Sequence, residues 1–296
     1  MKNLKSHFLL DSEIVYLNHG SFGACPKFIF NDYIKIQKEL EKNPIKFLDN
    51  DIQYKVKRSQ IALSKFINCD EDDIVFFPNP TTAMNEVFRS INLKIDDEIL
   101  STNHEYGALN KAWDFITLKT GAKYIQTKIP IPLHSHIDFI NRIESKINKN
   151  TKVIFLSHIT SSTGLIFPVK EIIELAKKYG IISIIDGAHV PGHINLDISK
   201  LNPDIYTGTC HKWMLSPKGV SFLYVKKEIQ NQIDPLIISW GYANEKVERS
   251  SFQDEHLWQG TKDISPYLTI SKTLEFREKH NWENISNICK KRIIEF

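Results

Sequence analysis

The chain has 296 residues, 42% apolar and 25% charged, the balance of a globular protein with a large buried core. Thirty-eight basic against 35 acidic side chains leave a net charge of +3, too even to mark a nucleic-acid or anionic-membrane partner. The longest apolar runs, such as residues 181–185, fall far short of the roughly 20 residues that span a bilayer. Phe8-Leu9-Leu10 is likewise too short for a secretory leader. Cys25, Cys69, Cys210 and Cys289 are widely spaced, with no Cys-x-x-Cys pair, so a cytoplasmic protein without a metal centre is expected.

Helical spacing occupies residues 27–40 and 53–66, and then the pattern changes. Residues 74–77 read as a strand and 81–92 as a helix opened by a threonine-rich turn. A strand at 98–101, a helix at 107–119 stopped by Gly121, a strand at 123–127 and a helix at 138–148 follow. Residues 153–156 are strand-like, 169–179 form a helix ended by Gly180, and 181–185, 204–206 and 220–225 are further strands. Beyond about Pro235 the pattern loosens into one helical stretch at 268–279 and a basic tail. β-Branched strands separated by helices predict a parallel sheet covered on both faces. No internal repeat, low-complexity tract or obvious linker interrupts the pattern; the chemistry of such sheets gathers beyond the carboxyl ends of the strands.

Those strand ends carry a set of polar residues. Asp186 follows the apolar strand 181–185, and Lys212 lies between His211 and Trp213 just after 204–206. Taken singly, an aspartate there is an ordinary loop or capping residue, and a lysine is a surface residue with a buried stem. Together they suit a pyridine-aldehyde cofactor, the lysine forming a Schiff base and the aspartate keeping the ring nitrogen protonated. Phe77-Pro78-Asn79-Pro80-Thr81-Thr82 supplies hydroxyls at a helix start, where a phosphate binds, although one threonine would also serve as a plain cap. No Gly-x-Gly-x-x-Gly or Gly-x-x-x-x-Gly-Lys-Ser/Thr string is present to point to nicotinamide or nucleoside triphosphate. Tyr106, in Asn103-His104-Glu105-Tyr106-Gly107, offers a ring to stack on the cofactor, and the hydroxyls of residues 157–163 offer donors.

From Tyr16 to Asp263 these motifs, in this order, resemble the class V aminotransferase family of pyridoxal-phosphate enzymes, most closely its isopenicillin N epimerase-like branch, with cysteine desulfurases as cousins. The resemblance implies fold type I, with a mostly parallel seven-stranded sheet sandwiched by helices. It also implies pyridoxal 5'-phosphate as cofactor, held by Thr81, Thr82, Tyr106, Ser161, Asp186, His189, Thr209, His211 and Lys212. Lys212, Asp186 and Tyr106 are the implied catalytic residues, and Asn18, His19 and Ser21 lie on a loop implied to face the substrate. Gly260 and Thr261, in Trp258-Gln259-Gly260-Thr261-Lys262-Asp263, resemble a segment that reaches the phosphate of a neighbouring subunit, so a homodimer is expected.

Three segments are expected: 1–50 packing on the core and lining the site, 51–235 as the cofactor-binding domain, and 236–296 as the start of a small domain that looks truncated. In relatives that small domain supplies an arginine for the substrate carboxylate. Only six arginines are present here (Arg58, Arg89, Arg142, Arg249, Arg277 and Arg292), and Arg292 fits no motif. The expected activity is α-proton abstraction from an amino acid or amino-acid-derived substrate, by an aminotransferase or epimerase. A desulfurase or C–S lyase is the alternative, which the lack of a late-loop cysteine disfavours. A third reading is an inactive remnant of the fold that serves as a binding partner.

Overall fold

The computed structural model describes residues 4–243 and 250–295; Arg249, named above, lies outside them. Seven strands form one sheet: β1 (Ile74–Phe77), β2 (Glu98–Thr102), β3 (Lys123–Thr127), β4 (Thr151–Ser157), β5 (Ile182–Gly187), β6 (Ile205–Thr209) and β7 (Ser221–Val225). Their order is β1-β7-β6-β5-β4-β2-β3. The expected mostly parallel sheet is present, with β7 antiparallel to both its neighbours. A parallel return from β6 to β7 would need a crossover of a dozen or more residues, usually helical. The segment 210–220 contains no helix, so the chain can only turn back on itself.

Helices α1 (Lys27–Lys42) and α2 (Ile52–Ile67) precede the sheet, and α3 (Pro80–Ser90), α4 (Gly107–Thr120), α5 (His136–Glu144), α6 (Val169–Tyr179) and α7 (Ile198–Leu201) connect its strands. After β7 come α8 (Ser251–Leu257), α9 (Ser265–Leu268), α10 (Ile270–Lys279) and α11 (Trp282–Glu295). The basic, helix-like tail is a helix, although α11 buries none of its residues. Among the described residues no helix is long and apolar enough to cross a membrane.

Alternation along the strands divides the core into two layers. Val153, Phe155, Ile184 and Ile205 face α3 and α4, where Phe88 stacks on Trp113 at 3.8 Å between ring centroids. Ile154, Leu156, Ile185 and Tyr206 face the other way, packing with α2, α5, α6 and Tyr267 of α9. A third cluster joins Phe8, Ala24 and Ile29 to Leu215 and to Phe276 of α10, so the N-terminal loop is tied to the chain that follows Lys212. The carboxyl ends of β1, β2, β4, β5 and β6 share one edge, and the turns leaving them converge there.

Candidate active site

A cavity of about 300 Å³ opens at that edge, lined by residues from each converging turn: Thr81, Tyr106, Ser157, Ser161, Asp186, His189, His211 and Lys212 among them. That volume is at the lower end of the range for small-molecule sites. Gly20, Ser21 and Phe22 close it from the N-terminal loop. The loop sits tightly on the lysine segment: a Cβ on Gly23 would lie 2.5 Å from the carbonyl oxygens of both His211 and Lys212.

Asp186 is buried at the end of β5, where Oδ1 accepts a bond from the Ala188 N–H at 2.9 Å. Burial raises its pKa, opposed by that bond and by the Lys212 charge. Burial likewise holds the Lys212 amine below the ordinary lysine value, and Asp186 works against it. The same two groups thus appear in each other's electrostatics, and a depressed lysine is a better nucleophile and base at neutral pH. Lys212 Nζ lies 3.4 Å from His189 Nε2. His189 is pushed down to about 4 by burial first, then by Lys212 and His193, and His211 to about 4 by burial, with Lys212 and Lys218 adding to it. Both rings are therefore neutral at pH 7.

At the other end of the cavity, Asn79 caps α3 by accepting the Thr82 N–H at 2.8 Å and the Thr82 hydroxyl at 3.1 Å. Thr81 lines the cavity, whereas Thr82 is turned to its cap. Thr209 ends β6 fully buried, and its hydroxyl has no hydrogen-bond partner among the described residues. Its ladder neighbour Ser221 donates to the Phe77 carbonyl at the end of β1, and Thr209 itself is not among the residues that line the cavity. A helix start with Thr81 on the cavity suits a phosphate.

Other expected residues fall elsewhere. Asn18 and His19 shape the loop rather than the cavity wall: Asn18 Oδ1 accepts the Ser21 N–H at 3.1 Å, and His19 Nδ1 accepts the Ala24 N–H at 3.3 Å. Gly260 and Thr261 line a separate, larger cavity of about 860 Å³ with Ile45, Leu48 and Trp240. It has none of the Lys212–Asp186 chemistry. Arg277 is committed to the backbone, donating to the carbonyls of Trp213 at 3.0 Å and Gly192 at 3.2 Å.

Two groups that sequence reading did not assign sit directly behind the cavity. Glu105, fully enclosed, accepts from the Thr102 hydroxyl, the Ser157 N–H and the Ser157 hydroxyl, each at 2.6 Å. Burial pushes it up to about 7, against those bonds, and the Asp186 charge adds to the rise. Tyr206 lies under Gly187, where a Cβ would be 2.1 Å from its hydroxyl, and that hydroxyl is 3.1 Å from His158 Nδ1. Among the described residues no group of three or more His, Cys, Asp or Glu is placed to hold a metal ion.

Comparisons with known proteins bear on this geometry. The family described as aminotransferase class-V matches residues 38–293. Isopenicillin N epimerase of Streptomyces clavuligerus is 29% identical over 283 residues, covering 92% of this chain and 71% of that protein. Hercynylcysteine sulfoxide lyase of Schizosaccharomyces pombe is 27% identical over 291 residues, covering 97% of this chain and 74% of that protein. Among solved structures, a C-DES mutant with glycine covalently linked to its PLP cofactor superposes with a TM-score of 0.84 at 23% identity, over 93% of this chain and 74% of that one.

Proposed function

This chain belongs to the class-V aminotransferase family, and on that premise we propose that it removes the α-proton of an amino acid or amino-acid-derived substrate, with Lys212 as the base. The observation that carries the reading is the buried Asp186 and the half-buried Lys212 lining one small cavity, each shifting the other's proton affinity. The residues fit the family's pyridoxal 5'-phosphate: an amine depressed by burial, a buried carboxylate, neutral histidines and a helix N-terminus with Thr81 on the cavity. When bound, that cofactor supplies an aldehyde that reacts with amines and a pyridine ring that takes up the electron pair of a deprotonated α-carbon.

The chain's own residues then have distinct tasks. Lys212 would hold the cofactor through Nζ, and the same nitrogen, as a free amine, would take the α-proton. Asp186 would hold the ring nitrogen and favour a proton there; the Ala188 bond and the Lys212 charge already work toward its ionised form against burial. Tyr106 would cover the ring face, Ser161 and His189 would donate to the phenolic oxygen, and Thr81, Thr209 and His211 would take the phosphate. Gly260 and Thr261 would reach the phosphate of a second subunit in a homodimer; the exposed Ile45 and Trp240 beside them, 75% and 88% accessible, favour a covered face there. A cytoplasmic location accords with four free cysteines.

Transamination, epimerisation and lyase chemistry share this first step. The sulfoxide lyase matches almost as well as the epimerase, so C–S cleavage is the second reading. The test is solvent-deuterium exchange at the α-carbon across an amino-acid panel, with the cofactor added and sulfide and keto acid assayed in parallel. Exchange that Lys212→Ala abolishes supports the proposal; a panel with no exchange by the wild type defeats it and leaves the inactive-remnant reading. Sulfide or sulfenate release assigns the lyase branch.

A further inference from the structure

The indole of Trp213, the residue after the lysine, is clamped on several sides. His193 stacks on it with ring centroids 4.4 Å apart and planes at 25°, and its backbone carbonyl accepts from Arg277. Gly20 lies against its far edge, where a Cβ would be 3.1 Å from Cζ2. So held, Trp213 Nε1 points at His189 Nδ1 at 3.4 Å, while the opposite nitrogen of that imidazole, Nε2, faces Lys212 Nζ, also at 3.4 Å.

An indole N–H donates and never accepts. We propose that Trp213 is a positioning residue that locks the tautomer of His189: by donating to Nδ1 it forces the ring proton onto Nε2, so that His189 presents a fixed N–H donor to the lysine cavity. The other neutral tautomer would set the Nδ1–H head-on against the indole N–H. His193 does not compete for that site, because its Nδ1 proton goes to the His189 carbonyl at 3.2 Å. The charged and titratable groups facing His189 are Lys212 and His193, and both favour its neutral form, as burial does.

The inference deepens the proposed function by giving His189 a defined polarity, but its test does not use the cofactor. Nitrogen-15 NMR of histidine-labelled, cofactor-free chain, with His189 assigned by the His189→Gln spectrum, reads the tautomer directly. The wild type is expected to show Nδ1 in the unprotonated range and Nε2 in the protonated range. In Trp213→Phe, which keeps an aromatic ring against His193, the two nitrogens move toward averaged shifts. Loss of the donor also raises the pH at which His189 takes its second proton by about half a unit to one unit. Benzothienylalanine at position 213, with sulfur in place of the N–H, gives the same result should the phenylalanine variant fail to fold. A proton on Nδ1 in the wild type overturns the inference, as does a pattern and titration unchanged by both substitutions. Failure of covalent attachment at Lys212 would defeat the functional proposal and leave this result standing.

Discussion

Replacing Glu105 by Gln isolates the electrostatic load behind the cavity. In the folded chain Glu105 keeps its proton up to about pH 7, against an ordinary value of 4.5. Between those values the native state binds a proton that the unfolded chain has lost, so wild-type stability falls as pH rises and levels off above about 7. At about 1.4 kcal/mol per pH unit, the ionised carboxylate destabilises the fold by about 3 kcal/mol. Gln cannot ionise. Its carbonyl can keep both Ser157 donors, and its amide faces Thr102, whose hydroxyl also accepts the His104 N–H at 3.1 Å. One strained contact there costs about 1 kcal/mol at every pH. Urea denaturation from pH 5 to 8 should therefore find Glu105→Gln slightly less stable than wild type at pH 5 and more stable at pH 8. The difference between the two proteins should change by about 3 kcal/mol, because other buried acids such as Glu86, pushed up to about 8 by burial, are common to both. A difference that stays flat with pH, or that favours the wild type increasingly toward pH 8, would refute the reasoning.

Gly23→Ala forces a Cβ against the backbone at His211 and Lys212, so the loop must lift; a stability loss of about 1–3 kcal/mol by denaturant midpoint, with weakened cofactor uptake, is expected. Asp186→Asn keeps an acceptor for the Ala188 N–H but loses the charge, so α-carbon exchange should fall on the order of a hundredfold or more while the fold survives a thermal melt. The same change removes the group that raises the Lys212 pKa, so the amine should lose its proton at lower pH, read by the pH dependence of its acylation. Cys25 and Cys69 are pushed up to about 12 by burial and Cys210 higher still, so maleimide followed by peptide mapping should label the exposed Cys289 first.

The strands were legible because their apolar runs are short and bounded by helical periods: β1, β3 and α6 occupy the residues that their patterns mark. The reversal of β7 was not, because a buried strand reads the same in either direction; only the helix-free link across 210–220 reveals it. Helix α11 was legible as a helix-like tail around Cys289, with Trp282, Ile285 and Cys289 at helical spacing, but it buries no residue. In the site, Asp186 and Lys212 stand out because strand ends concentrate ligands, a rule that needs only the strand pattern. Glu105 and Trp213 depend on contacts formed by folding. Ser157 comes from 52 residues away to meet the one, and His189 from 24 residues away to meet the other, and no local spacing records either meeting.

The grip of one lysine on the cofactor is the point on which the account stands. Reconstitution with pyridoxal 5'-phosphate, reduction with borohydride and peptide mass mapping test it most directly. The predicted result is a single added cofactor mass on Lys212, absent from Lys212→Ala. A label on another lysine, or an equal label in the alanine variant, would contradict it.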